Sequence, residues 1–512
     1  MTIPFLSILL LLPFAGALII LLIPKQRKGL ICTLGCLFTL STLILSSYLW
    51  WSVGVIGDGG MLFVEEYAWI PELDISYSVG VDGLSAPMLF LTGLLTTLAL
   101  FYSAFEVQDR LREFFVLFLL LETGMLGVFV SLDLVLFYAF WELGLVPMFL
   151  IIGIWGGERR EYAAIKFFLY TLAGSVFGLL GILAVYYDTG TFNILEAAAL
   201  RPFADNLTWA TLVFWALFVA FAIKVPVFPF HTWLPDAHTE APTAGSVILA
   251  GILLKLGAYG MMRIALPFFP ERFAYFSTDV PIITVMAVIS IVYGALVCMA
   301  QWDLKLLVAY SSVAHMGYFT LGMASTAASW PRLAEDLLVF DAAASGLNGA
   351  AMQEFSHGVI TGAMFFLVGI IYRRAHTRNL KAFGGLATQV PYYYGITLVT
   401  AFASLGLPGL IGFWSELLVF RGAVKLVPVA AFIGVLGMIF TAGYVLWKLI
   451  EYLFLGSLDR DRWENLPDMV WWEKLTLWPL IFLMVGLGFY PAPIINTFNG
   501  AVITLLEMLG GR

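Results

Sequence analysis

Residues Leu217 to Arg263 read LFVAFAIKVPVFPFHTWLPDAHTEAPTAGSVILAGILLKLGAYGMMR, and two lysines in this stretch decide how the chain is built. Lys224 and Lys255 each lie inside an apolar run long enough to cross a bilayer, and Pro226 and Pro229 interrupt the first run just after its lysine. An ammonium at bilayer depth costs about 2.5 to 3.5 kcal/mol on insertion scales, so an intramembrane lysine points to function. Proline removes a backbone donor and frees carbonyls. Irregular backbone at that depth persists only where it lines a cavity or is buried in protein.

The rest of the chain agrees with a membrane setting. Of its 512 residues 61% are hydrophobic and 12% charged, with a mean hydropathy of +0.94, whereas soluble domains carry about 25% charged residues. The apolar runs do not alternate as barrel strands do, so the fold class is an all-α integral membrane protein. The net charge of −8 is spread over loops and leaves no basic patch for nucleic acid. Cys32, Cys36 and Cys298 lie within apolar runs and read as buried small residues rather than metal or cluster ligands. No dinucleotide, Walker or haem-attachment motif occurs, so no cofactor is expected in this chain. Met1 to Ile23 lacks a basic start and a convincing small-residue cleavage site, so a retained first helix is expected.

Fourteen crossings fit, at about 4–23, 30–51, 84–104, 113–131, 133–155, 162–187, 209–233, 241–266, 281–300, 304–326, 345–372, 391–421, 428–454 and 471–494. The longest connection, from about residue 52 to 83, carries Asp58, Glu65, Glu66, Glu72 and Asp74 and no lysine or arginine. Basic residues fall on alternate connections, among them Lys25, Arg110, Arg159, Lys305, Arg374 and Arg460, so both termini are expected on the outer side. Crossings four to eight and nine to thirteen form two units of five, and an odd number turns the second copy upside down. The chain then divides into 1–112 with the first three crossings, a first repeat 113–266, an inverted second repeat 281–454, and a C-terminal helix within 455–512. Each unit has an interruption in its fourth crossing, at Pro226 and Pro229 in the first and at Pro408 and Gly409 in the second. Paired interruptions are the best sequence pointer to an ion path at the midplane.

The intramembrane ionisable residues follow that path. Glu142 is the lone charge between Asp133 and Glu158, Glu416 lies about one turn past Gly412, and His315 and His357 fall on crossings ten and eleven. Bland alternatives are a structural hydrogen bond for Glu142, helix-pinning ion pairs for the lysines, a cap for Glu416 and core packing for the histidines. Glu122 and Glu354 are further membrane carboxylates without a distinguishing setting. His231 and His238 flank the WLPD turn at the inner surface, where ordering or gating of a loop is expected and zinc is a weak alternative. Desolvation makes lysine a weaker base and glutamate a weaker acid, so such groups exchange protons near neutrality. Proton relay is the chemistry they permit, with Glu142 and Lys224 as a switchable pair. Gly174, Ser175 and Gly178 would let helices approach closely around it.

These stretches, WELGLVPMFLIIGIWGG, AIKVPVFPFHTWLPDAHTEAPTAGSVILAGILLKLGAYGMMR, AYSSVAHMGY, FSHGVITGAMFFLVG and LPGLIGFWSELLVF, resemble the family of antiporter-like subunits M in proton-pumping NADH:quinone oxidoreductase, respiratory complex I, which includes mitochondrial chain 4 and its counterpart in photosynthetic complexes. The similarity runs nearly the whole length. It implies a fourteen-helix fold with inverted five-helix repeats, Glu142 as the carboxylate of crossing five, Lys224 as its partner on a broken helix, Lys255 as the central relay, Glu416 as the terminal site, and His315 and His357 as links. Glutamate at the last site resembles subunit M, where other antiporter-like chains tend to carry lysine. The resemblance further implies neighbouring membrane-arm subunits as partners, flavin, iron–sulfur clusters and quinone in partner chains, and a bacterial inner membrane or another energy-transducing membrane such as a thylakoid. Two other readings are a subunit of a multisubunit sodium/proton antiporter and a membrane spacer that no longer pumps.

Overall fold

The computed structural model describes residues 3–57 and 59–510, so Asp58 lies outside the described residues. Among the described residues thirteen helices are long and apolar enough to cross a membrane. They include every expected crossing except the tenth and the twelfth. The tenth is present as Leu304–Ala328, where serines, threonines and glycines dilute the apolar run. The twelfth is broken into Pro391–Ser404 and Ile411–Leu426, each half too short to span alone.

Three elements differ from the sequence reading. The acidic connection after Lys28–Ile56 contains an antiparallel hairpin, Leu62–Ile70 paired with Ile75–Val81, so the chain is not wholly helical. Its Glu65 carboxylate accepts the Leu6 and Ser7 amides at 2.7 and 3.2 Å, placing a negative charge on the open amides that begin helix Phe5–Leu22. The connection 234–240 is a short helix, Trp233–Glu240. Beyond the fourteenth crossing, Trp471–Phe489, a further helix Ala492–Gly510 follows where the reading expected one C-terminal helix.

Two helices form the middle of the bundle. Thr243–Phe268 is buried throughout its membrane window and Leu337–Ala375 nearly so. The latter has 39 residues, which makes it about 58 Å long, nearly twice the hydrocarbon thickness. Small residues admit its neighbours: a Cβ on Gly349 would meet the Val419 amide at 2.4 Å, and one on Gly422 would meet the Ala342 carbonyl at 2.6 Å. Helix Arg160–Thr189 uses the same device against Leu207–Lys224, since Cβ atoms on Gly174 and Gly178 would touch Ile223 and Ala220. Ser175 on that face accepts from the Trp141 indole at 3.1 Å.

Both interruptions settle their backbone in a similar way. Pro226 has no amide to give the Ala222 carbonyl, so Val227 donates to it instead at 3.0 Å. The Ile223 carbonyl, released by the same shift, accepts the Trp233 indole at 2.9 Å. In the later break Leu407 donates to Phe402 at 3.1 Å, the same five-residue step. Gly406 and Gly409 then turn through φ of +74° and +91°, conformations that side chains resist.

Candidate functional site

Glu142 stands at the end of Leu134–Leu143, just before a bend at Gly144 where Pro147 prevents the helix from closing its ladder. The bend packs on Leu111–Val130, because a Cβ on Gly124 would lie 2.9 Å from the Gly144 amide. Lys224 ends the first half of the broken seventh crossing and is 2% exposed. Among the described residues no ion pair within 4.0 Å joins Glu142 to Lys224. The lysine ammonium instead lies over the Trp141 ring, 4.9 Å from its centroid, and the Glu142 charge acts on it through space. The expected pair is therefore a Coulombic one, with one carboxylate oxygen of Glu142 buried and free of hydrogen bonds.

Lys255 lies in the wholly buried helix, between two π-helical segments, Leu249–Leu253 and Met261–Ala265. Such wide turns are rare and concentrate at functional positions. Its ammonium donates to the Ala250 carbonyl of its own helix and bonds His357 Nδ1 at 2.7 Å. His357 and His315 face each other with ring centroids 5.8 Å apart. His315 Nδ1 is 3.8 Å from Glu416 Oε1, while its Nε2 is shared by the Ser404 hydroxyl at 3.1 Å and Tyr444 at 3.3 Å. His315, His357 and Glu416 border one cavity of ≈ 210 Å³ empty volume, together with Gln353, Ser356 and Ser404. Lysine, two histidines and glutamate thus form a buried, nearly continuous series across four crossings. Titratable groups brought this close can pass a proton onward, directly or across water.

The second break positions the far end. A Cβ on Gly406 would lie 2.5 Å from Glu416 Oε2, so only glycine leaves room for the carboxylate against the turn. Ser404, the last residue before that turn, supplies the hydroxyl on His315.

Several contributors escaped the sequence reading. Gln353 donates to the His315 carbonyl at 3.1 Å, and Tyr444 and Trp141 read as ordinary core aromatics. Glu354 precedes His357 by about one turn, is 1% exposed and lies within Coulombic reach of Lys255. Glu122 is fully buried with neither carboxylate oxygen hydrogen-bonded. His238 is not at the surface: it is buried, stacked on Phe365 at 4.6 Å. His231 stacks on Phe228. Asp236 and Glu240 are engaged by Lys166 at 2.6 Å and by the Arg159 amide at 3.0 Å. Among the described residues no set of three or more histidine, cysteine or carboxylate side chains converges as a metal site.

Comparison with known proteins agrees with this architecture. Residues 131–441 match the family model described as NADH:quinone oxidoreductase/Mrp antiporter, TM. NADH-quinone oxidoreductase subunit M of Rickettsia prowazekii is 41% identical over 98% of this chain and 99% of its own length. A chain of the respiratory complex I structure from Thermus thermophilus superposes with a TM-score of 0.84 at 29% identity, covering 98% of this chain and 99% of that one. A chain of the Mrp complex from Dietzia shares the fold at a TM-score of 0.81 and 22% identity, over 97% of this chain and 52% of that one. The chain therefore belongs to the NADH-quinone oxidoreductase subunit M family, within the wider NADH:quinone oxidoreductase/Mrp antiporter membrane proteins.

Proposed function

We propose that the chain is a proton-translocating membrane-arm subunit of a complex I type oxidoreductase, and that the buried series from Lys255 through His357 and His315 to Glu416 carries the proton. The 2.7 Å contact between the Lys255 ammonium and His357 Nδ1 is the observation that carries this reading. A neutral His357 accepts there and releases from its other nitrogen toward the cavity; His315 takes the proton on and delivers it from Nδ1 to Glu416. Lys224 loads Lys255 from the opposite end, and the charge state of Glu142 sets how readily it does so. With Glu142 ionised the Lys224 ammonium is held, and with that charge withdrawn Lys224 releases its proton.

Electron transfer and quinone reduction belong to partner subunits that hold flavin and iron–sulfur clusters, and this chain contributes no redox centre. Its residues 113–266 and 281–454 act as two inverted units. Supporting this, the start of crossing five pairs with the segment after crossing six, Leu134 donating to Phe192 and Ile194 to Leu132, both at 2.8 Å. Crossing ten repeats the arrangement, with Leu304 donating to Arg378 at 2.9 Å and Leu380 to Trp302 at 2.8 Å. In both places an aspartate, Asp133 or Asp303, caps the crossing opposite an asparagine, Asn193 or Asn379. The termini face the outer side of a bacterial inner membrane or equivalent.

The test is Lys224→Ala or Glu142→Gln in the assembled complex, reconstituted into vesicles, with protons moved per electron as the readout. Assembly with a reduced proton ratio is expected, and a normal ratio overturns the relay. Co-purification of antiporter chains in place of flavin and iron–sulfur chains would move the assignment to a sodium/proton antiporter subunit.

A further inference from the structure

Away from the proton series, a second cavity of ≈ 470 Å³ empty volume lies where helix Leu207–Lys224 begins and Thr243–Phe268 ends. Arg201, Arg272 and Glu271 border it together with Phe203, Phe269 and Trp330. Arg272 is 8% exposed. Its Nη2 donates to Glu271 Oε1 at 2.8 Å, while its Nε–H is buried and meets no protein acceptor. Arg201 Nη2 donates to the Leu509 carbonyl at 3.2 Å, which orients that guanidinium without neutralising it. Two guanidinium groups against one carboxylate leave the wall cationic.

The backbone there is held in an unusual shape. Arg201 and Phe203 take φ of +52° and +56° on either side of Pro202, a left-handed conformation that non-glycine residues rarely adopt. The Asp188 carboxylate accepts the Phe203 amide at 2.6 Å and helps to fix it. Leu207 borders the cavity and also begins an outward apolar strip, with Leu207, Trp209 and Leu212 at 57%, 52% and 57% exposure. Tryptophan among exposed leucines at the end of a span marks the headgroup level of the bilayer. The cavity thus joins a cationic floor to an outward apolar strip.

We propose that this pocket binds the phosphate of an anionic phospholipid, with Arg272 and Arg201 on the headgroup and the aromatic side chains against its glycerol and acyl carbons. Guanidinium donors match phosphate oxygens in a forked geometry, and an Nε–H with no protein partner is the donor such an oxygen would satisfy. Inorganic phosphate shares the charge but has nothing to place on the apolar wall.

The experiment uses the assembled complex in lipid nanodiscs with phosphatidylglycerol or phosphatidylcholine carrying a photoreactive group near the glycerol. Adducts on peptides covering residues 201–212 and 266–276 are expected with the phosphatidylglycerol probe, about tenfold more than with phosphatidylcholine, and lost in Arg201→Gln/Arg272→Gln. Equal labelling by both probes, or no adducts on these peptides, overturns the proposal. So does competition by inorganic phosphate as strong as by short-chain phosphatidylglycerol, because the pocket would then read phosphate alone. If the double variant does not assemble, the comparison of the two probes on the unaltered complex decides by itself.

Discussion

Between Lys255 and Glu416 the groups stand close together, with a 2.7 Å hydrogen bond to His357, rings 5.8 Å apart, then 3.8 Å from His315 to the carboxylate. Between Glu142 and Lys224 no such contact forms, and the Trp141 indole underlies the ammonium at 4.9 Å. Hydrogen bonds fail steeply with distance and angle, whereas Coulomb attraction falls only as 1/r. At an effective dielectric near 20, retracting a carboxylate by one methylene changes its pull on a nearby ammonium by about half a kcal/mol. In the proposed relay the series from Lys255 to Glu416 is a fixed path, and the Glu142 charge is an adjustable bias on the lysine that loads it.

The largest effect is expected from Lys255→Met, which removes the amine shared by the Ala250 carbonyl and His357 while filling nearly the same volume. Proton translocation by the reconstituted complex should fall by roughly a hundredfold, the scale of losing a positioned acid–base group. Adding Glu416→Gln should cost little more, since members of one pathway are not additive. Retention of more than about a third of the flux would mean that protons bypass the series.

A sharper separation of the two regions comes from shortening each carboxylate while keeping its charge. Glu416→Asp draws the carboxylate away from His315 and from its place beside Gly406, and about a tenfold loss of translocation is expected, equivalent to 1.4 kcal/mol. Glu142→Asp keeps a charge that acts through space and should lose no more than about threefold. Equal losses at both sites would erase the distinction between path and bias. Gly406→Ala probes the same cradle from the backbone side. Its Cβ would fall 2.5 Å from Glu416 Oε2 at a φ of +74°, so a several-fold loss is expected together with about 1 to 2 kcal/mol of destabilisation.

What could be read from the residues follows the same division. Pro226 and Pro408 announce the two breaks, because a missing amide in an apolar run has few structural outcomes. Glu142, Lys224, Lys255 and Glu416 stand out because charge at that depth is costly. The approach of His357 to Lys255 and to His315 depends on how three helices turn about their axes, and a histidine in an apolar helix gives no sign of its partner. Trp141 and Tyr444 were hidden by resembling core. The hairpin at Leu62–Val81 escaped because its acidic, loop-like composition carries no helical period, and Ala492–Gly510 because Pro491 and Pro493 bracket its start. The Asp–Asn pairs at 133 and 193 and at 303 and 379 are visible as letters, yet only their pairing in space relates them.

The smallest effect on transport is expected at the Lys224 end, from Trp233→Phe. The Trp233 indole satisfies the Ile223 carbonyl, which the proline break releases one residue before Lys224. Phenylalanine fills most of the space but cannot donate, so the carbonyl is left without that partner, at a cost of about 1 to 3 kcal/mol. The charges of Glu142 and Lys224 are untouched, and a bias that acts through space tolerates a small shift of the ammonium. Thermal unfolding of the purified complex should begin at lower temperature, while translocation at moderate temperature stays within about twofold of the unaltered complex. A loss as deep as that of Glu416→Asp would show that Lys224 must be held in one position, and its coupling to Glu142 would then be as exacting as the contacts between Lys255 and Glu416.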